Sequence, residues 1–272
     1  MPFHDENISK RLNHLPSVNI KMTLVLLPGL DGTEIFFGPL LRELPAWIDP
    51  VVIVYPASGN NDYPDLLPIV MSKVATLKSC VILGWSFGGP LALMAASRCP
   101  SQVSGVILCG SFVTPPRPKL VPFRFFVSAP LIALVRALRR ARLLIPGYAT
   151  TEFRTAKALT WKRVNSRELA SRSRAALSVD VSPQLSECRA RLMYLASTRD
   201  EVISRASLDE ILAISPQIQV AEVEGPHFAL FTNPVQSAAC IVNFLCKIDE
   251  NSTSLIPSRQ QRTQGIFLPV ID

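Results

Sequence analysis

The stretch Leu83-Gly84-Trp85-Ser86-Phe87-Gly88-Gly89 constrains this chain more than any other, because it joins a strand pattern to a helix pattern through a serine flanked by glycines. Before it, Ser79-Cys80-Val81-Ile82-Leu83 is a short apolar run of the kind a fully buried parallel strand shows. After it, Gly89 to Arg98 is rich in helix formers, and Pro90 suits a first helical turn. A turn this sharp forces the serine into a strained backbone conformation, and glycines two residues before and two after leave room for neighbouring backbone. The spacing therefore predicts a nucleophile elbow, with the Ser86 hydroxyl raised above a sheet.

The flanking chain supplies that sheet. Met22 to Leu27, Val51 to Tyr55, the run ending at Leu83, and Val103 to Cys109 read as buried strands. Helices are expected near Glu34 to Leu44, with Asp31 or Thr33 as cap, near Tyr63 to Leu77, and after the elbow. Strands alternating with helices imply an α/β fold with a mostly parallel, doubly wound sheet. The alternation breaks from residue 113 to residue 185, where Ala129 to Leu144 and Leu159 to Leu177 support helices, and an inserted helical lid is expected there. It resumes with a strand at Arg191 to Ala196, a helix near Ser204 to Ile214, a strand at Gln217 to Val223 and a helix at Pro234 to Cys246. The expected organisation is thus a lead-in over 1–20, a core over 21–112 and 186–248, the lid over 113–185, and a polar, mobile tail over 249–272.

Composition narrows the class. A chain of 272 residues with 48% hydrophobic content can bury one large core. The most apolar stretch, Phe125 to Val135, is about half the ~20 residues a membrane span requires and is bracketed by arginines. Met1 to Asn19 is charged and lacks the apolar run of a secretory signal, so the cytoplasm is the expected location. The six cysteines show no C-x-x-C spacing and suit reduced core thiols; with three scattered histidines, no metal site and no cofactor are expected.

A serine nucleophile needs a base and a group to orient that base. His227, in Glu224-Gly225-Pro226-His227-Phe228, follows the last strand, where open α/β sheets present functional groups; His4 and His14 precede the first strand. Asp200 follows the preceding strand and is placed to fix the imidazole tautomer, with the adjacent Glu201 as its competitor. Backbone N–H groups of Phe87, just after the serine, and Leu30, in the turn Pro28-Gly29-Leu30-Asp31-Gly32, are placed to bind an oxyanion.

The order Ser86, Asp200, His227, with a helical insertion before the acid, resembles the α/β-hydrolase superfamily over about Met22 to Cys246. The elbow, the Gly-Pro-His-Phe loop and the lid position are similar to small lidded esterases such as the pimeloyl-acyl-carrier methyl ester esterases. Many members carry His-Gly where this chain has Pro28-Gly29, and many have extra antiparallel strands that about twenty N-terminal residues leave little room for. The resemblance implies hydrolysis of a carboxylic ester through an acyl-serine. Thioester hydrolysis and acyl transfer use the same triad, and a non-catalytic hydrolase-fold binding protein is the reading of another class.

The lid residues Phe123, Phe125, Phe126, Leu131, Leu134, Val135 and Leu138 are expected either to cover the elbow with apolar surface or to form the lid's own core. Between residues 113 and 174 there are 14 Lys+Arg against two acids, while the whole chain carries +7. Arg136, Arg139, Arg140 and Arg142 beside a stripe that includes Ile145 make a basic amphipathic helix. Such a face is either a solvated surface or a steering surface for an acidic acyl carrier protein, coenzyme A or an anionic membrane. Nothing resembles a nucleic-acid module, and no nucleic-acid partner is expected.

Overall fold

A computed structural model describes residues 21–143 and 150–254; the lead-in over 1–20 and residues 255–272 lie outside the described residues, as does Ile145. Six strands form one all-parallel sheet: β1 (Met22–Leu27), β2 (Ile48–Val52), β3 (Cys80–Trp85), β4 (Val103–Cys109), β5 (Arg191–Arg199) and β6 (Gln219–Pro226), in the spatial order β2-β1-β3-β4-β5-β6. The reversal of direction between β1 and β3 is the switch point at which open sheets of this kind open a crevice. Among the described residues no antiparallel strand extends the sheet beyond β2.

The strands are apolar on both faces because helices cover both. Val25, Leu27, Ile82 and Leu108 point into one buried cluster, and Leu24, Leu26, Leu83 and Ile107 into the other. Full burial of each such side chain contributes roughly 2 kcal/mol, which is why continuous apolar runs here mean strand interior rather than alternating edge. Pro50 sits in β2, the edge strand, where a missing N–H costs no central hydrogen bond.

The helices are α1 (Gly38–Glu43), α2 (Tyr63–Val74), α3 (Gly88–Arg98), α4 (Ala129–Leu143), α5 (Thr151–Arg163), α6 (Ser166–Ala176), α7 (Ser182–Ser186), α8 (Arg205–Ile214), α9 (Ala229–Thr232) and α10 (Pro234–Ser254). Several differ from expectation for local reasons. Glu34 to Leu44 is a short 3-10 turn, Ile35–Phe37, followed by α1, and Asp31 is not its cap: its carboxylate accepts from the N–H and hydroxyl of Thr33. The stretch 159–177 is two helices, because Asn165 accepts from the N–H groups of Arg167 and Glu168 and starts α6 anew. α10 continues through Ser254, so the first six residues assigned to a mobile tail are helical.

Between β4 and β5 the chain leaves the sheet through a 3-10 segment, Pro118–Phe126, and then α4 to α7. Here the apolar expectation is corrected. Phe123, Phe125, Phe126, Leu131, Leu134, Val135 and Leu138 all stand exposed, forming neither a cover for the elbow nor a buried lid core. The aromatic cover near the elbow comes from elsewhere: Phe153 of α5 packs on Phe36, Phe228 and Phe231.

Candidate active site

Ser86 has φ +53°, the only positive φ at a non-glycine among the described residues. The neighbouring glycines explain how the chain tolerates it. A Cβ on Gly84 would lie 2.4 Å from the carbonyl oxygen of Gly88, and one on Gly88 would lie 2.5 Å from that of Leu27. The elbow is therefore backbone packed against backbone at the ends of β3 and β1. Its strained residue is tied on both sides: the Ser86 N–H donates to the Cys109 carbonyl at 2.9 Å, and the Ser86 carbonyl accepts from the Ser111 hydroxyl at 2.7 Å.

His227 and Asp200 meet as the sequence predicts. His227 Nδ1 lies 2.7 Å from Asp200 Oδ2, while Oδ1 of the same carboxylate accepts from the N–H groups of Val202 and Ile203, each at 2.8 Å. With both oxygens engaged the carboxylate is fixed in place against the Nδ1 edge of the imidazole. Glu201 is exposed, and its carbonyl accepts from Arg117.

Three residues that sequence reasoning passed over complete this arrangement. Trp85, next to the serine, donates from Nε1 to the His227 carbonyl at 3.2 Å and lies 5.6 Å from the imidazole, so the elbow carries its own anchor for the histidine loop. Gly110, at φ +47°, leaves space where a Cβ would sit 3.0 Å from Asp200 Oδ2 and 3.3 Å from His227 Nδ1. Its position after a strand end, beside Ser111, was the available signal. Arg172, in α6, had none beyond membership of a basic segment.

Arg172 is 1% exposed and holds the turn after β1. Its Nη1 donates to the Leu30 carbonyl at 2.6 Å, and Nε and Nη2 both donate to Asn61 Oδ1. Three successive carbonyls of that turn are thus engaged: Pro28 by the Tyr55 hydroxyl at 3.0 Å, Gly29 by the Gly32 N–H at 3.0 Å, and Leu30 by Arg172. Since a trans peptide points its N–H opposite its carbonyl, fixing the Gly29 carbonyl also fixes the Leu30 N–H. Neither that N–H nor the Phe87 N–H finds an acceptor among the described residues.

Charge around the turn is unusual. Burial pushes the Asp31 carboxyl upward, against the hydrogen bonds from Thr33 and the pull of Lys157 and Arg172. Lys157 of α5 places its ammonium 4.6 Å from the centre of the Phe228 ring and 5.3 Å from that of Phe36; burial brings it down to about 8. A pocket of about 200 Å³ opens beside the turn, lined by Asp31, Thr33, Tyr55, Glu168 and Arg172 among others. Glu168 is buried, and its Oε2 has no hydrogen-bond partner. No group of three or more potential metal ligands occurs among the described residues.

A sequence profile of the Alpha/beta hydrolase family matches residues 24–239, from within β1 through β6 and into α10. The chain belongs to that family. It is accordingly a hydrolase by family, with esterase-type relatives. The pimeloyl-[acyl-carrier protein] methyl ester esterase of Xanthomonas oryzae pv. oryzae is 25% identical over 236 residues, covering 80% of this chain and 92% of that protein. The polyketide synthase ThaQ of Burkholderia thailandensis is 26% identical over 242 residues, 76% of this chain but 11% of the synthase; the chain spans only a small part of that relative. Among solved structures, MenH from S. aureus has a TM-score of 0.70 at 15% identity, covering 86% of this chain and 96% of that one. The enol-lactonase from Burkholderia xenovorans LB400 has a TM-score of 0.69 at 15% identity, covering 83% and 91%. At these identities the structural likenesses show the fold.

Proposed function

We propose that this hydrolase is a serine esterase that cleaves a carboxylic ester with a hydrophobic acyl group, with Ser86 as nucleophile, His227 as base and Asp200 as orienting acid. The observation that carries the reading is the 2.7 Å contact between His227 Nδ1 and Asp200 Oδ2, beside a serine held at φ +53°. Ser86 Oγ attacks the ester carbonyl carbon as its proton passes to His227 Nε2. That proton then goes to the departing alkoxide, leaving an acyl-serine and a free alcohol. Water repeats the cycle, giving its proton to Nε2 and its oxygen to the acyl group, and the carboxylic acid leaves. The N–H groups of Leu30 and Phe87 receive the negative oxygen at each tetrahedral stage; the Gly32 N–H holds the Gly29–Leu30 peptide for that task, and Tyr55 and Arg172 hold the peptides on either side of it.

Ser86 is 5% and His227 6% exposed, which suits a site that opens to admit its ester. In this reading the insertion is a lid. The similarity to the Xanthomonas esterases supports a second reading of the leaving side, an acyl ester or thioester presented on a carrier protein.

The test is a panel of aryl esters of graded acyl length with matching thioesters, run beside labelling by a fluorophosphonate. The wild-type chain hydrolyses esters of longer acyl groups and takes the label on Ser86, and Ser86→Ala does neither. Hydrolysis that survives Ser86→Ala would sink the assignment, and a preference for thioesters would move it to the carrier-linked reading.

A further inference from the structure

The segment from Pro118 to Arg140 is built inside out. In α4, Ile132 and Arg136 are one helical turn apart and are the half-buried side, where Arg136 donates to the Trp161 carbonyl at 2.6 Å and to the Ser166 hydroxyl at 3.3 Å. Leu131, Leu134, Val135 and Leu138 recur at the spacing of a single helix face, opposite that side, and all four are exposed, Leu138 at 63%. The preceding 3-10 segment adds Leu120, Phe123, Phe125 and Phe126, the last two at 75% and 73% exposure. A folded domain in water gains nothing by turning an amphipathic helix so that its leucines face outward.

The charge of the same segment is one-sided. From Arg117 to Arg142 there are seven Lys and Arg and no acid, and the first acid afterwards is Glu152. Several of the arginines are used internally: Arg117 donates to the Glu201 and Val202 carbonyls, Arg124 to that of Val121, and Arg136 as above. Lys119, Arg139 and Arg140 are exposed and make no hydrogen bond or ion pair among the described residues, and Arg139, one turn after Val135, borders the leucine stripe. Among the described residues no single helix is long and apolar enough to cross a membrane; Pro118–Phe126 with Ala129–Arg140 reaches that composition only as a pair bent by 118°. A pair bent this sharply, with its apolar side chains on the outside, can lie in an interface.

We infer that the face formed by Pro118–Phe126 and α4 docks on an anionic lipid surface. Phenylalanine and leucine side chains at this exposure enter the boundary between headgroups and acyl chains, while Lys119, Arg139 and Arg140 meet the phosphates. An acidic carrier protein accounts for the cations but leaves the phenylalanines and the leucine stripe in water, and a second copy of the chain brings the same positive charge against itself. The lipid surface satisfies both features at once. Docking there brings the protein to where esters of hydrophobic acids are dissolved.

The experiment is sedimentation with vesicles of phosphatidylcholine alone and of phosphatidylcholine mixed with phosphatidylglycerol, using the full chain carrying Ser86→Ala, so that binding is read without any chemistry. The chain partitions onto the mixed vesicles, and added salt weakens that binding. Phe125→Ser with Phe126→Ser lowers partition by about tenfold or more while leaving hydrolysis of a small soluble ester by the Ser86 protein unchanged. Arg139→Gln with Arg140→Gln lowers partition to mixed vesicles and leaves the small ester unaffected. Because these side chains are exposed, the variants keep the wild-type melting temperature. Absence of binding to mixed vesicles overturns the inference, as does a concentration-dependent dimer that Leu134→Ser with Leu138→Ser abolishes, or binding to an acidic acyl carrier protein that the arginine changes abolish while vesicles bind nothing. None of these outcomes bears on whether Ser86 is the nucleophile, which the labelling experiment decides separately.

Discussion

In the sheet, Leu24, Leu26, Leu83 and Ile107 are fully buried; in the insertion, the largest fully buried side chain is an arginine, and phenylalanines and leucines face outward. Between residues 118 and 176 the buried apolar residues among those described are only Ala156, Val164, Ala170 and Ala176, while Leu177, Val179, Val181 and Leu185 are buried where the insertion returns towards β5. The sheet is held by apolar area, which is non-directional and large in sum. The insertion is held in good part by guanidinium groups donating to backbone carbonyls: Arg172 to Leu30, Arg136 to Trp161, Arg174 to Val127, and Arg117 to Glu201 and Val202. Such bonds are directional and few, and charge assistance makes each worth roughly 1.5–3 kcal/mol. A region attached this way has a defined seat and a low cost of leaving it, which suits the proposed role of a lid.

That contrast breaks in a definite order. Largest is loss of the chemistry at the strand ends. Ser86→Ala and His227→Ala each cut turnover by about 10⁴-fold or more, and the double variant is little worse, because the two act as one unit. Additive losses in kcat would separate them. Asp200→Asn keeps the fold and loses about 10³–10⁴-fold in kcat, whereas Glu201→Gln stays close to wild type; the reverse ranking would transfer the orienting role to Glu201.

Next is the attachment itself. Arg172→Met leaves the Leu30 carbonyl and Asn61 Oδ1 without their donor in a buried place, and we expect a loss of about 3 kcal/mol, read as a fall in denaturation midpoint. The same change releases the peptide that follows the Leu30 N–H donor and so loosens the turn that aims it. kcat for a small ester therefore drops by about 10- to 100-fold with KM little altered, as for a weakened oxyanion donor. A stability loss with unchanged kcat would make Arg172 a seat for the insertion alone.

Smallest is Lys157. Its burial lowers it to about 8 from an ordinary 10.5, so between those values the unfolded chain binds the proton that the folded chain has released, and stability rises with pH across that window. Below about pH 8 the folded chain carries the buried charge and the full cost of burying it. Lys157→Met consequently raises the melting temperature at pH 7 and removes this rise between pH 8 and 10.5, which thermal melts along a pH series detect. A wild-type curve that is flat across the window would place the ammonium in solvent.

The sheet and the serine, acid and histidine positions were legible because each is written locally: apolar runs of strand length, a serine between glycines, one histidine and one aspartate just past strand ends. The insertion was legible as helices but not as a packing. Periodicity says that Leu131, Leu134, Val135 and Leu138 share a face of α4, yet gives no sign of whether that face points in or out, and the burial prior points the wrong way. Arg172 was equally hidden, since its partners Leu30 and Asn61 lie more than 110 positions away. The break at Asn165 was readable in principle, as a capping residue ahead of Glu168, but the alanines and arginines around it kept the helical pattern continuous.

The two backbone bonds that tether Ser86 have a consequence in time. Its N–H needs the carbonyl of Cys109 and its carbonyl needs the hydroxyl of Ser111, both at the end of β4. A ribosome that has released the chain only as far as α3 has released a serine that lacks both, with only the Gly89 N–H on its carbonyl, at 3.1 Å, inside the elbow itself. The imidazole arrives still later, more than a hundred residues on. The growing chain thus carries an ordinary alcohol through most of its synthesis, and the hydroxyl acquires its special setting only when the far edge of the sheet has docked.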